Sequence, residues 1–390
     1  MKYILMSIAR KATLLTFLLL GGITWFWYFF LQSRYPFIRT EFVLIMILIS
    51  VLMALYFFVH YTINPLNIVL REIKSLLTGR KYNRIFTKRI DEIGVIAHFF
   101  NEITEALERA SKDIKKQRRL SAELDIASKI QKDILPKEAP LVPGLNVLAK
   151  TRSAAEIGGD SFGFIEAHEN TFIYIGDVTG HGVPSGLVMM MVDTLIDTFT
   201  DMYREADTIL INTNKYLKPR INNTIFMTIV MFRWHHESKK MFMCGAGHEH
   251  IVTYKKSEKK CFAEKSGGIA LGMIDDITKI ACEREISFTE GDILVAYSDG
   301  ITEAKNVHGE MYGLERLKKT VENCGIQNYT VTEIFKTIAR DFSKFTQKHV
   351  QEDDMTLIII KHKNPSDEHA FESTTWEDSD LGKTSLVDYS

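Results

Sequence analysis

Cysteine is sparse in this sequence: Cys244, Cys261, Cys282 and Cys324 are scattered over 390 residues, with no C-x-x-C pair. That spacing argues against a zinc site and against a disulfide framework. Scattered thiols suit a reducing compartment, where they serve as small core residues. Net charge is lacking too. At −1 it points to no nucleic-acid partner. There is no convincing Ser or Cys triad motif, and no Gly-rich ATP-binding segment. What remains is a chain long enough for about two to three domains. Its apolar residues are unevenly placed, with two long runs at the N-terminal end.

Ala12 to Leu31 contains no charge and has about the length that spans a bilayer. Phe42 to Tyr61 is a second run of similar length. The first is too long for a signal peptide and lacks a clear small-residue cleavage site. A pair of buried core helices is the competing reading, but uncharged runs this long seldom occur in soluble domains. Lys2, Arg10 and Lys11 precede the first run, and Arg71, Lys74, Arg80, Lys81, Arg84, Lys88 and Arg89 follow the second. Only Arg34 and Arg39 lie between. The positive-inside bias therefore predicts both termini in the cytoplasm. Trp25, Trp27, Tyr28 and Tyr35 cluster where an outer interface would fall. The loop from Gln32 to Glu41 is too short for a sensor domain.

After Pro65, residues Leu66, Val69, Ile73 and Leu76 form one a/d seam, which Gly79 ends. A polar connector leads to Asp91-Glu92-Ile93-Gly94, and a second seam follows at Ile93, Ile96, Phe100, Ile103 and Leu107. Two short amphipathic helices after a membrane helix resemble a HAMP domain. The likeness implies a parallel four-helix bundle in a homodimer that relays signals to an effector. A plain solvated helical linker is the competing reading. Lys115, Lys116, Arg118 and Arg119 then form a basic cluster. The apolar positions restart out of phase at Leu120, Leu124, Ala127 and Ile134. Such a phase break locally over- or underwinds a coiled coil.

From about Leu141 short β-type runs alternate with polar turns. Strands are predicted at 145–150, 171–175, 226–232, 240–244, 250–254, 293–297 and 355–361, and helices at 185–202, 205–216, 313–324 and 330–346. Strands grouped around helix pairs imply an α+β layered domain. Asp is unfavourable inside strands, yet it recurs where strands end. Gly158-Gly159-Asp160 follows the first strand, Gly176-Asp177 the second, Ser298-Asp299-Gly300 follows Tyr297, and Asp353-Asp354 precedes Met355. Carboxylates at strand ends converge at one sheet edge and need cations to offset their repulsion. Hard oxygen donors without His or thiolate favour Mg²⁺ or Mn²⁺ over Zn²⁺.

The order of these motifs resembles the metal-dependent (type 2C) protein phosphatases, and within them the bacterial SpoIIE branch. The likeness runs from about Ala122 to Lys361. It includes Ile130-Gln131, Leu135-Pro136, Ala155-Glu156-Ile157-Gly158-Gly159-Asp160, Gly176-Asp177-Val178-Thr179-Gly180-His181-Gly182, Ala246-Gly247-His248, Ser298-Asp299-Gly300 and Asp353-Asp354-Met355-Thr356. The resemblance implies a layered β-sandwich flanked by helices and two bound ions, Mn²⁺ or Mg²⁺. Asp177 would bridge both ions, with the Val178 carbonyl on one. Asp299 and Asp353 would complete the second site, and Asp160 would hold the first. Asp354 is an alternative to Asp353. In that chemistry two cations lower the pKa of a bridging water that attacks phosphorus, so Asp160, Asp177, Asp299 and Asp353 are the expected catalytic set. His248 suits packing and hydrogen bonding, and His181 a place near phosphate. The family often continues G-G-D with Phe-Tyr-Asp, whereas Ser161-Phe162-Gly163 stands here. An acidic neighbour of the metal site is thus expected to be missing.

The resemblance further implies a membrane-anchored serine/threonine phosphatase of the bacterial inner membrane. Its partners would be membrane lipid and a phosphorylated regulator, a STAS-domain anti-sigma factor antagonist. A catalytically inactive phosphoprotein-binding relay is the alternative. Gly158-Gly159-Asp160-Ser161-Phe162 is also close to the diguanylate cyclase signature, but the Glu of that signature is Ser161 here and the later Asp motifs would go unexplained. The expected organisation is two transmembrane helices (1–61), a HAMP domain (62–115), a linker helix (116–140), the phosphatase domain (141–363) and an acidic flexible tail (364–390).

Overall fold

A computed structural model describes residues 8–26, 29–30, 39–89, 91–347, 349–363, 373–377 and 380. Lys2, Trp27, Tyr28, Arg34, Tyr35 and most of the acidic tail lie outside the described residues. The chain divides into two compact units, Met1–Leu120 and Ser121–Ser390.

In the first unit, α1 spans Ile8–Phe26 and α2 spans Arg39–Phe58. A π-helical turn, Val59–Ile63, runs without a break into α3, Asn64–Leu77. Leu44–Leu77, 34 residues, is the one helical stretch among the described residues long and apolar enough to cross a membrane. The apolar helical stretch within α1, Leu14–Ile23, is shorter. Side chains such as Leu48, Leu52 and Leu55 are exposed, as the length of the run requires if lipid is its solvent.

The next helix, α4, runs over Glu92–Ile134. Its 43 residues pass through the basic cluster without interruption, so the phase shift lies in the side-chain pattern and not in the backbone. Val69, Ile85, Ile93, Ala97 and Phe100 form a small core between α3, the connector and the start of α4. The connector is fixed by its polar groups. Asn101 holds both backbone groups of Ile85, at 2.9 and 3.0 Å. Glu72 accepts from the Asn83 N–H at 2.9 Å.

The second unit contains two antiparallel five-stranded sheets. Its strands are β1 (Leu145–Arg152), β2 (Ser161–Ala167), β3 (Asn170–Val178), β4 (Met227–His235), β5 (Lys240–Ala246), β6 (His250–Lys255), β7 (Lys260–Lys265), β8 (Arg284–Ile286), β9 (Ile293–Tyr297) and β10 (Met355–His362). One sheet has the order β1-β10-β9-β6-β7 and the other β2-β3-β4-β5-β8. Their inner faces share a core in which Phe162, Ile173, Phe232 and Trp234 meet Val147, Leu294 and Ile358. Helices α5 (Val183–Met202) and α6 (Ala206–Leu217) cover the outer face of the second sheet. A short α7, Asp299–Thr302, follows β9. Helices α8 (Leu314–Ile326) and α9 (Val331–Thr346) cover the first sheet. The result is a helix–sheet–sheet–helix layering.

All seven predicted strands and four predicted helices are present, within a few residues at their ends. Three strands were missed. Gly163 and Glu166 dilute the apolar pattern of β2, charged residues bracket β7, and β8 has only three residues. The tail needs a correction. Residues 373–377 are not free: Ser373 and Thr375 bridge Glu138 and Thr151, and Trp376 is buried against α9. An aromatic residue among the acidic ones supplies apolar surface that a solvated tail would leave in water.

The inter-sheet core sets the first prediction. Ile358 is fully buried between the sheets. Ile358→Ala is expected to lower the unfolding free energy by about 2–5 kcal/mol in chemical denaturation. A loss below about 1 kcal/mol would place Ile358 outside a packed core.

Candidate active site

The strand pairing brings the Asp motifs to one edge. In the second sheet Ser161 pairs with Gly176, so Asp160, just before β2, lies beside Asp177 near the end of β3. In the first sheet Leu357 pairs with Tyr297, so Asp353 and Asp354, just before β10, lie beside Asp299, just after β9. Side chains alternate across a strand. Ile175 faces the inter-sheet core, and so therefore does Asp177, two residues on.

Asp160 ties the two sheets together. Its carboxyl is 5% exposed. Oδ2 accepts from Ser298 Oγ at 2.7 Å and from Thr356 Oγ1 at 2.6 Å, both on the opposite sheet's edge. Oδ1 is buried with no hydrogen-bond partner. Burial, and then the Asp354 charge, raise its pKa to about 7, against the pull of the two hydroxyls.

Asp177 is raised further, to about 9, by burial and then by Asp160, Asp299, Asp353 and Asp354. Asp299 is raised to about 6 by burial, Asp353, Glu303 and Glu249. Five carboxylates thus feel one another. Among the described residues no three His, Cys, Asp or Glu side chains stand at mutual ligand distance. The group is gathered within Coulomb range without being packed together.

Asp353 and Asp354 have different tasks. Asp354 is buried, and its oxygens accept from the Ala154 N–H at 2.7 Å and the Gly159 N–H at 2.5 Å. It splints the Gly158-Gly159-Asp160 loop. Asp353 is exposed, and only Asp354's own N–H is recorded on its carboxylate, at 2.8 Å. The Val178 carbonyl turns towards the same loop, 3.0 Å from where a β-carbon on residue 159 would stand, a tight fit for any side chain.

Gly163 does not bear out the expected loss of an acid at the metal site. Phe162 and Phe164 face the inter-sheet core, so residue 163 faces α5. A β-carbon there would come within 2.4 Å of the Tyr174 ring. The Tyr174 hydroxyl donates to Asp193 of α5, and Ser161 Oγ reaches the same carboxylate at 3.4 Å. The acid on that face comes from the helix.

His248 is buried, with Nδ1 3.1 Å from Thr228 Oγ1, and burial lowers its pKa to about 4. Burial thus favours the neutral imidazole. His181 is exposed, in the turn before α5. Residue-by-residue reading had missed Ser298 and Thr356 as braces, Glu249 as a further charge, and Gln131. Gln131, near the end of α4, donates to the Gly158 carbonyl at 2.7 Å and accepts from its N–H at 3.1 Å. Ser298 and Thr356 lay inside the recognised motifs. Gln131 lay inside the quoted Ile130-Gln131, but nothing local pointed to Gly158 as its partner.

The donor set fits a hard divalent cation. It is all oxygen, it carries excess negative charge, and one buried carboxylate oxygen lacks any partner. Beside Asp353 and Gly300 lies a cavity of about 520 Å³, also lined by Arg152, Glu303 and His349.

Comparison with known proteins agrees with this fold. The family model "Stage II sporulation protein E (SpoIIE)" matches residues 167–363, half of the chain. The chain belongs to the SpoIIE family. Its catalytic unit is a SpoIIE-type protein phosphatase of the 2C fold. The phosphoserine phosphatase RsbU of Bacillus subtilis is 26% identical over 253 residues, covering 63% of this chain and 72% of RsbU. Protein IcfG of Synechocystis is 25% identical over 305 residues, 70% of this chain but 46% of IcfG. The SiaA-PP2C domain of Pseudomonas aeruginosa superposes with a TM-score of 0.54 at 21% identity, over 64% of this chain and 98% of that domain. The family match begins after Asp160.

The raised carboxyls predict a pH effect. They bind protons more tightly folded than unfolded. Without a cation, stability is therefore lost as pH rises from the ordinary carboxylate range through about 6 to about 9. In chelator-treated protein, Asp177→Asn is expected to melt above wild type at about pH 8, with the gap closing towards about pH 5. A wild type that melts higher at the alkaline end would contradict mutual repulsion.

Proposed function

We propose that this chain is a membrane-anchored protein phosphatase acting on phosphoserine or phosphothreonine of a regulatory protein, with two Mg²⁺ or Mn²⁺ ions held by Asp160, Asp177, Asp299, Asp353 and the Val178 carbonyl. The observation that carries this is the convergence of those carboxylates between the two sheet edges, with one oxygen of Asp160 buried and unpartnered. Bound there, two divalent cations supply an activated water and neutralise charge on the phosphoryl oxygens.

The chain's own residues do the rest. Ser298 and Thr356 fix the Asp160 carboxylate, and Asp354 fixes the backbone of its loop. Asp353 is left as the ligand of the adjacent pair. The neighbouring cavity gives room for a phosphorylated side chain and its flanks. The substrate class is a STAS-domain anti-sigma factor antagonist. The likeness to RsbU supports it, as does the likeness to the RsbU and RsbW domains of Rv1364c from Mycobacterium tuberculosis (TM-score 0.50, 19% identity).

Anchoring is supported by the apolar stretch Leu44–Leu77 and the uncharged run in α1, with Lys and Arg placed so that both termini and the catalytic unit are cytoplasmic. A homodimer through a HAMP-type connector is supported by Ile96, Phe99, Ile103 and Leu107. These are exposed apolar residues at helical spacing on α4. Control through that connector is supported by Gln131, which joins the end of α4 to the Gly158 backbone.

The test is hydrolysis of p-nitrophenyl phosphate and of a phosphorylated STAS-domain protein with Mn²⁺. Turnover is expected in wild type and is expected to fall at least about 100-fold in Asp177→Asn, the scale of losing one preorganised charge-stabilising group. Turnover equal in both proteins would remove Asp177 from the chemistry. No turnover in either, with the phosphoprotein still bound, would favour the inactive relay.

A further inference from the structure

Beyond β10, residues 373–377 return to the catalytic unit and make two sets of contacts. The first set is with the turn that follows α4. The Thr374 N–H donates to the Lys137 carbonyl at 3.0 Å, and its hydroxyl donates to the Pro136 carbonyl at 2.5 Å. The second set is with β1, an edge strand of its sheet. The Thr151 N–H donates to the Thr374 carbonyl at 2.8 Å, and the Trp376 N–H to the Thr151 carbonyl at 2.9 Å. Lys150 Nζ adds a bond to the Thr375 carbonyl at 3.3 Å. This is strand addition at a sheet edge, in cis. Trp376 anchors it. The side chain is 2% exposed, with its ring edge-on to Phe335 at 5.1 Å and tilted against Phe342 at 6.0 Å.

Thr151 is what makes the attachment matter for the site. Its hydroxyl is 2.8 Å from that of Thr356, which donates to Asp160 at 2.6 Å. One residue on, the Arg152 carbonyl accepts from the Gln351 side-chain amide at 2.9 Å, and that amide also holds the Asp353 carbonyl at 2.8 Å. Further on, the Ala154 N–H holds Asp354. The end of β1 therefore braces three of the converging carboxylate residues. The strap's other end holds Pro136 and Lys137, just after the helix whose Gln131 grips Gly158. Hydrogen bonds and the short chain segments between them link strap, β1 end, carboxylate loop and helix end in one circuit.

We propose that Ser373–Trp376 is a positioning strap for the carboxylate edge, acting through Thr151 and Thr356, and that releasing it weakens divalent-cation binding there. Trp376 is its anchoring and positioning residue, with no contact to the carboxylates. The proposal rests on reading that edge as a metal site.

The test uses the full chain, with Trp376→Ala, Trp376→Phe and Thr374→Pro, the last removing the N–H that reaches Lys137. Amide hydrogen exchange of segments 131–139 and 148–160 is followed in metal-free protein, and Mn²⁺ affinity is measured by calorimetry. Exchange in both segments is expected to speed up in Trp376→Ala and Thr374→Pro. Mn²⁺ affinity is expected to fall about tenfold, the scale of losing an outer-shell partner of a metal ligand. Turnover at saturating Mn²⁺ stays at the wild-type level, and Trp376→Phe, which keeps an aromatic edge for Phe335, restores affinity and exchange. A lower melting temperature with wild-type Mn²⁺ affinity would reduce the strap to a structural part and overturn the proposal. A wild-type chain that binds no Mn²⁺ would refute the metal reading instead. Unchanged exchange of 148–160 would then overturn the strap independently.

Discussion

The catalytic unit depends on one buried carboxyl shared by two sheets. Asp160 belongs to the loop before β2, yet its partners, Ser298 and Thr356, belong to the other sheet. A carboxyl so placed is costly unless its oxygens are satisfied. Two hydroxyls satisfy one oxygen, and the other has no partner. The layered core brings these groups together, since only face-to-face packing puts the end of β3 and the start of β10 at one rim. Folding energy from the inter-sheet core thus holds like charges close, and burial first, then their repulsion, raises the pKa of Asp177 to about 9, above Asp160 at about 7 and Asp299 at about 6.

Much of this was legible in the sequence, for a physical reason. Asp is excluded from strand interiors, so an Asp at the end of an apolar run marks a sheet rim. Strands grouped around helix pairs pointed to the layered fold, and the order of the four Asp motifs, through the family resemblance, offered Asp160, Asp177, Asp299 and Asp353 as candidates. What sequence could not assign was the face each side chain takes. The absent acid at position 163 looked like a defect of the metal site, whereas strand alternation turns that position towards Tyr174 and α5. Asp353 and Asp354 looked interchangeable, and only the backbone donors of Ala154 and Gly159 separate them. Strand β2 was hidden because Gly163, on the helix side, and the exposed Glu166, on the face of Phe162 and Phe164, break its apolar pattern.

The other unread parts are long-range. Gln131 and Gly158 are distant in sequence, as are Thr374 and Thr151, and no local pattern announces either pair. A tryptophan in an acidic, polar segment was the one available sign that residues 373–377 are not a solvated terminus. Together these contacts attach the Asp160 loop to the end of α4 on one side and to the C-terminal segment on the other.

Calorimetric titration of Mn²⁺ into the chelator-treated chain tests the central claim most directly. The account predicts two ions per chain in wild type and weakened binding in Asp177→Asn. Protons released on binding should fall as pH rises from about 6 to about 8, because over that range the metal-free carboxyls already lose the protons that the cations would displace. No Mn²⁺ binding, or binding that Asp177→Asn leaves untouched, would contradict it.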